Sequence, residues 1–145
     1  MIAIGCDHGG FSLKNVIIDF LKENNYEYND FGTFDENSVD YPDIADKVCK
    51  AITDGYCNCG ILVCGTGIGM NMCANKHKGI RAAQCSDTFS AKMTRQHNDA
   101  NVLTLGGRVI GPELAKCIVN EFLTNSFLGG RHKIRVDKLM NVEKQ

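Results

Sequence analysis

Five short runs of β-forming residues alternate along the chain with segments whose apolar residues recur at helical spacing. This alternation limits the possible folds more than any other feature. The runs fall at residues 2–6, 27–31, 60–64, 80–84 and 102–105. After the first, Leu13, Val16, Ile17, Phe20 and Leu21 line one face of a helix that follows Gly9-Gly10. Pro42 suits the first turn of a second helix, with Ile44, Val48, Ala51 and Ile52 turned inward. A third helix opens in the glycine stretch after Cys64, and a fourth covers 88–97. A fifth starts at Pro112, with Ala115, Ile118, Val119, Phe122 and Leu123 on its apolar stripe. Strands that alternate with helices pair in parallel under helical cover, and the continuously apolar Ile61-Leu62-Val63 reads as a strand buried on both faces. The expected fold class is α/β, one domain over residues 1–145. A last segment, 131–145, reads as a sixth helix. Its Ile134, Val136, Leu139, Met140 and Val142 are too apolar for a lone solvated helix and suggest docking on a partner subunit.

Sixteen Lys+Arg against seventeen Asp+Glu give a formal charge of −1, with no basic run, which argues against a nucleic-acid binder. The longest apolar stretches are too short to span a bilayer, and Met1-Ile2-Ala3-Ile4-Gly5 is unlike a secretory signal. The expected location is cytoplasmic. Eight cysteines without a Cys-x-x-Cys then read mainly as small buried hydrophobes, not as disulfides, a redox pair or a zinc site.

In an open parallel sheet, ligands bind beyond the carboxyl ends of the strands. Asp7-His8-Gly9-Gly10 follows the first run and Gly65-Thr66-Gly67-Ile68-Gly69 the third. Cys85-Ser86-Asp87 follows the fourth and Gly106-Gly107-Arg108 the fifth. The opposite edge offers no comparable set in this reading. The Gly65–Gly69 spacing fits neither a dinucleotide fingerprint nor a Walker loop, yet its amides could approach an anion closely. Cys64, placed at the strand's exposed end, is then a thiol beside amide donors. It suits proton abstraction next to a carbonyl, and equally a thiol nucleophile. His97-Asn98-Asp99 closes the fourth helix, where His97 is either a general acid–base or part of a C-cap. His77, in Lys76-His77-Lys78, reads as a solvated turn. Arg131 and Arg135, four apart, and Arg108 could grip a phosphate.

Gly5-Cys6-Asp7-His8-Gly9-Gly10-Phe11, Asp40-Tyr41-Pro42, Cys64-Gly65-Thr66-Gly67-Ile68-Gly69, Asn75-Lys76, Gly79-Ile80-Arg81-Ala82, Arg95-Gln96-His97-Asn98-Asp99-Ala100-Asn101-Val102 and Gly129-Gly130-Arg131-His132 together resemble the ribose-5-phosphate isomerase B family. The resemblance covers nearly the whole chain. It implies a Rossmann-like three-layer α/β/α fold with a five-stranded parallel sheet, a small sugar phosphate as substrate, and no metal or organic cofactor. It also implies a homodimer with active sites at the subunit interface, a tetramer being left open. By matching position, Cys64 resembles the base, His97 the group that assists ring opening, and Thr66 a helper in ring opening or sugar orientation. Asp7, His8, Tyr41, Gly65, Thr66, Gly67, Ile68, Gly69 and Asn98 match sugar-binding positions. Arg108, Arg131 and Arg135 match phosphate-binding ones, some donated by the neighbouring subunit. The implied reaction interconverts D-ribose 5-phosphate and D-ribulose 5-phosphate through a cis-enediolate. The alternatives are a six-carbon phosphosugar isomerase (allose or galactose 6-phosphate) and a non-catalytic phosphosugar-binding module.

Overall fold

The structure, a computed structural model, describes residues 1–144. In chain order it contains β1 (Ile2–Cys6), a 3-10 turn (His8–Gly10), α1 (Phe11–Glu23), β2 (Tyr28–Asp30), α2 (Tyr41–Thr53), β3 (Cys59–Cys64) and α3 (Ile68–Ala74). There follow β4 (Ala82–Gln84), α4 (Thr88–Asn98), β5 (Val102–Gly106), α5 (Pro112–Thr124), α6 (Arg131–Asn141) and a closing 3-10 turn (Val142–Lys144). The strands form one sheet in the order β2-β1-β3-β5-β4, and every adjacent pair is parallel. This is the expected Rossmann-like three-layer arrangement.

Pro42 and Pro112 both lie in first turns, where a missing N–H costs nothing and the fixed φ is already helical. The edge strands β2 and β4 are shorter than the β-forming runs at 27–31 and 80–84. At β4 the ladder starts only at Ala82, because the Arg81 amide donates to Asn101 Oδ1 at 2.8 Å instead of lying flat in a longer strand. The sixth helix stops at Asn141, short of the expected 145, as its last residues tighten into the 3-10 turn. Gln145 lies outside the described residues.

The two faces of the sheet differ. One presents Ile2, Ile4, Cys6, Ile61, Val63, Leu103 and Leu105 to apolar residues of α1 and α5. The other carries Ala3, Leu62, Cys64 and Val102 against α2 and α3. On that side Ile44 and Val48 occupy the space that side chains at Gly5 and Gly60 would take, so α2 sits close. Alternate residues of each strand feed opposite cores, which puts the Cys64 side chain on the α2–α3 face.

The connections from β1 and β3 leave in opposite directions, toward β2 and toward β4. The carboxyl ends of β1 and β3 therefore flank the topological switch point, where such sheets open a crevice.

Candidate active site

The loop after β3 turns back over its own strand. Gly67 adopts φ +81°, and a β-carbon there would stand 2.9 Å from the Leu105 carbonyl carbon, so only glycine is comfortable. That turn directs the Gly67 N–H to Cys64 Sγ at 3.1 Å. The thiol is 5% exposed rather than open at the strand tip, because the returning loop covers it. Thr66 is exposed, and its Oγ1 accepts from the Ile68 amide at 3.2 Å. The neighbouring loops lock on: Asp7 N donates to Val63 O (3.1 Å), Gly107 N to Cys64 O (2.8 Å) and Arg108 N to Gly65 O (3.0 Å). The Arg108 side chain extends over Gly65.

Asp7 Oδ1 accepts from the Gly9 and Gly10 amides at 2.9 and 3.2 Å, so part of this carboxylate shapes the loop beside the crevice. His8 is exposed, and its Nδ1 accepts from the Val39 amide at 3.4 Å. The Tyr41 ring lies across Gly69, where a β-carbon would meet its Cζ at 2.9 Å. Cys64, the Gly65–Gly69 loop, Arg108, Asp7, His8 and Tyr41 thus gather at one end of the sheet, as the sequence indicated.

His97, Asn98, Arg131 and Arg135 lie elsewhere. A helix that follows a parallel strand must run back, so the carboxyl end of α4 reaches the amino edge of the sheet. The expectation that this edge lacks polar chemistry is therefore wrong. Cys64 pairs with Gly106 at the far end of β5, four residue steps from Val102, or ~13 Å along the strand. Here a cleft of about 410 Å³ is lined by His97, Asn98, His132, Arg135, Val136 and Leu139. Arg131 stands exposed on the first turn of α6. The His97 and His132 rings stack with centroids 4.1 Å apart and planes 7° from parallel. Burial, then the charges of His97, Arg131 and Arg135, hold His132 below the usual imidazole pKa. Sequence reasoning assigned His132 nothing, although the periodicity that paired Arg131 with Arg135 also placed it between them.

His77 is half-buried rather than solvated. Its Nε2 lies 3.0 Å from Asp46 Oδ1 and its Nδ1 3.1 Å from Cys73 O, joining α2 to the turn after α3. Asp46 is held below the usual carboxylate range, first by a hydrogen bond from Lys50 and then by His77. Among the described residues no three His, Cys, Asp or Glu side chains converge to hold a metal ion, and no helix is long and apolar enough to cross a membrane.

Fold and site define a Rossmann-like α/β protein whose glycine loops and Cys64 gather at the switch point of its sheet, the place where such folds bind small ligands. The chain belongs to the ribose/galactose isomerase family, whose model matches residues 2–139, and is an aldose–ketose isomerase. It is 48% identical to ribose-5-phosphate isomerase B of Escherichia coli (strain K12) over 144 residues, which is 99% of this chain and 97% of that one. It is also 48% identical to D-erythrulose-4-phosphate isomerase of Pectobacterium atrosepticum over 149 residues, 99% of this chain and 95% of the relative. Among solved structures, ribose-5-phosphate isomerase B of Clostridium thermocellum superposes with a TM-score of 0.97 at 53% identity, covering 99% of this chain and 97% of that one.

Proposed function

We propose that the chain interconverts D-ribose 5-phosphate and D-ribulose 5-phosphate as a homodimer, each active site joining the Cys64 crevice of one copy to the His97 cleft of another. The observation that carries this reading is the Gly67 N–H held 3.1 Å from Cys64 Sγ within a loop of further amides, because an amide aimed at sulfur favours negative charge there. The separation of the two clusters supports the dimer. Neither is complete alone, and exposed Tyr41, Ile68, Met72, Phe89 and Val109, like Leu139 of α6 and Val142 of the closing 3-10 turn, offer apolar surface for a second copy.

In this reading Arg108 of one copy, with Arg131 and Arg135 of the other, grips the phosphate and sets the sugar between the two clusters. His97 delivers a proton to the ring oxygen as the C1–O4 bond breaks, while the O1 hydroxyl passes its proton to water and C1 becomes an aldehyde. The Cys64 thiolate removes the C2 proton, and the electron pair moves onto O1 to give the cis-enediolate. The Gly65–Gly69 amides stabilise that oxygen. The O2 proton passes to O1, C2 becomes the ketone, and the proton on sulfur goes to C1. The Thr66 hydroxyl, Asp7 Oδ2, His8, Tyr41 and Asn98 orient the sugar hydroxyls.

Formation of ribulose 5-phosphate in a coupled assay tests the substrate. Allose 6-phosphate, galactose 6-phosphate and erythrulose 4-phosphate run beside it test chain length, the last because a 48%-identical relative is named for it. Faster turnover of any of these would displace ribose 5-phosphate. Cys64→Ala should keep sugar-phosphate binding and lose exchange of the C2 proton with solvent by about 10³-fold or more; normal turnover would remove Cys64 as the base. His97→Asn should slow the cyclic substrate by about 10²-fold while sparing solvent exchange on ribulose 5-phosphate, which has no furanose ring to open. Equal losses on both would remove the ring-opening role.

A further inference from the structure

An acid–base histidine usually has its ring fixed by a hydrogen bond from one nitrogen to a carboxylate or carbonyl. His97 has no such bond: among the described residues neither ring nitrogen has a hydrogen-bond partner. Its ring meets another ring instead, His132, at 4.1 Å and 7°. We infer that His132 is a positioning residue that acts through His97, a flat platform fixing the plane of that ring and leaving both its nitrogens free at the cleft. This rests on the ring-opening role proposed above for His97 and adds what orients it.

The platform is itself well held. His132 is buried at the start of α6, where its amide donates to Gly129 O at 3.0 Å. One turn on, Val136 is buried too, and farther along Met140 Sδ accepts from Arg81 Nη1 at 3.6 Å. The same Arg81 donates through Nε to Asp99 O at 2.8 Å and through Nη2 to Asp99 Oδ2 at 3.1 Å, so it ties α6 to the turn that carries His97 and Asn98. Stacked imidazoles flanked by Arg131 and Arg135 do not readily both carry charge. Burial and these neighbours disfavour protonated His132, so the platform ring is held neutral beside His97 in the cleft.

The test compares His132→Ala, which removes the platform, with His132→Phe, which keeps a flat ring but no nitrogen. Two activities are measured on each: isomerisation of ribose 5-phosphate, and exchange of ribulose 5-phosphate protons in heavy water followed by proton NMR. His132→Ala should slow isomerisation by about tenfold or more and leave exchange within about twofold, while His132→Phe restores isomerisation to within about threefold. The His97 Cε1 proton, shifted by the stacked ring in wild type and in His132→Phe, should move in His132→Ala. Equal loss of both activities in His132→Ala, failure of the phenylalanine to rescue, or no change in either variant would overturn the inference. If wild type fails to isomerise ribose 5-phosphate, the functional reading falls; the Cε1 resonance still reports separately whether His132 holds the ring.

Discussion

Burial is the largest influence on the thiols of Cys6 and Cys49, both pushed up to about 12, and on Cys85, taken to about 11. Cys57, Cys59 and Cys73 are raised for the same reason. Cys64 is covered almost as completely, yet its sulfur meets the Gly67 amide. Among the described thiols Cys64 is the one whose sulfur accepts from a backbone amide. Position beyond a buried strand was enough to single out Cys64 in the sequence. It was not enough to find His132, since a partner seen only as a stacked ring leaves no spacing signature. The buried thiols also predict alkaline behaviour. In the unfolded chain they ionise from about 9, whereas the native state keeps Cys6, Cys49 and Cys85 protonated higher. The unfolded state then binds fewer protons, so stability is complete below pH 9 and falls toward pH 11–12. Urea midpoints should drop between pH 8 and 10.5, and Cys6→Ala with Cys49→Ala should flatten the slope; an unchanged slope would refute the assignment.

Elements that bury a continuous stripe were readable from pattern. β1, β3 and β5 coincide with their apolar runs to within a residue, and the prolines mark the starts of α2 and α5. Less readable was a charge turned inward. Lys14 follows Leu13 on α1 and looks like a solvent-facing residue, yet it is 1% exposed. Its Nζ contacts Asp30 Oδ1 and Oδ2 at 2.8 and 2.7 Å and Thr33 O at 2.7 Å, with the Phe34 ring at 5.1 Å and the Phe11 ring at 5.7 Å. Asp30 Oδ1 also accepts from the Gly32 amide at 2.9 Å. One ammonium thus fastens α1 to the start of the connection that ends at Tyr41. Pattern analysis counts lysine as polar and cannot anticipate a partner 16 residues away. Removing one partner leaves the other's charge uncompensated, at a cost of about 3 kcal/mol where both are buried and less here because Asp30 keeps some contact with water. Lys14→Met should therefore lower unfolding stability in urea by about 2 kcal/mol and raise KM for the sugar phosphate as the Tyr41 segment loosens. Adding Asp30→Asn should recover part of the stability. A neutral Lys14→Met would show that the cluster is not a clamp.

At the scale of the whole molecule, the sheet keeps the two clusters of the proposed site apart. Parallel strands put Cys64 and the glycine loops at the carboxyl edge, and α4, running back, carries His97 to the amino edge beside α6. This separation follows from strand–helix alternation and was deducible from sequence; what stayed hidden was the cleft that α6 builds around His97. A site joined across two copies has a consequence no single-chain site shares. Cys64→Ala and His97→Asn homodimers should each keep no more than about 1% of wild-type activity on ribose 5-phosphate. In a mixed dimer, one site combines both lesions, while the other takes Cys64 from the His97→Asn copy and His97 from the Cys64→Ala copy and is intact. Random re-pairing makes half the dimers mixed with one working site each, so unfolding and refolding the two variants together should recover about a quarter of wild-type activity. Activity should follow the binomial fraction of mixed dimers as the input ratio is varied, with a maximum at equal amounts. If mixtures stay as inactive as their parents while size measurements show that exchange has occurred, then Cys64 and His97 serve the same site within one chain, and the assembly proposed here is excluded.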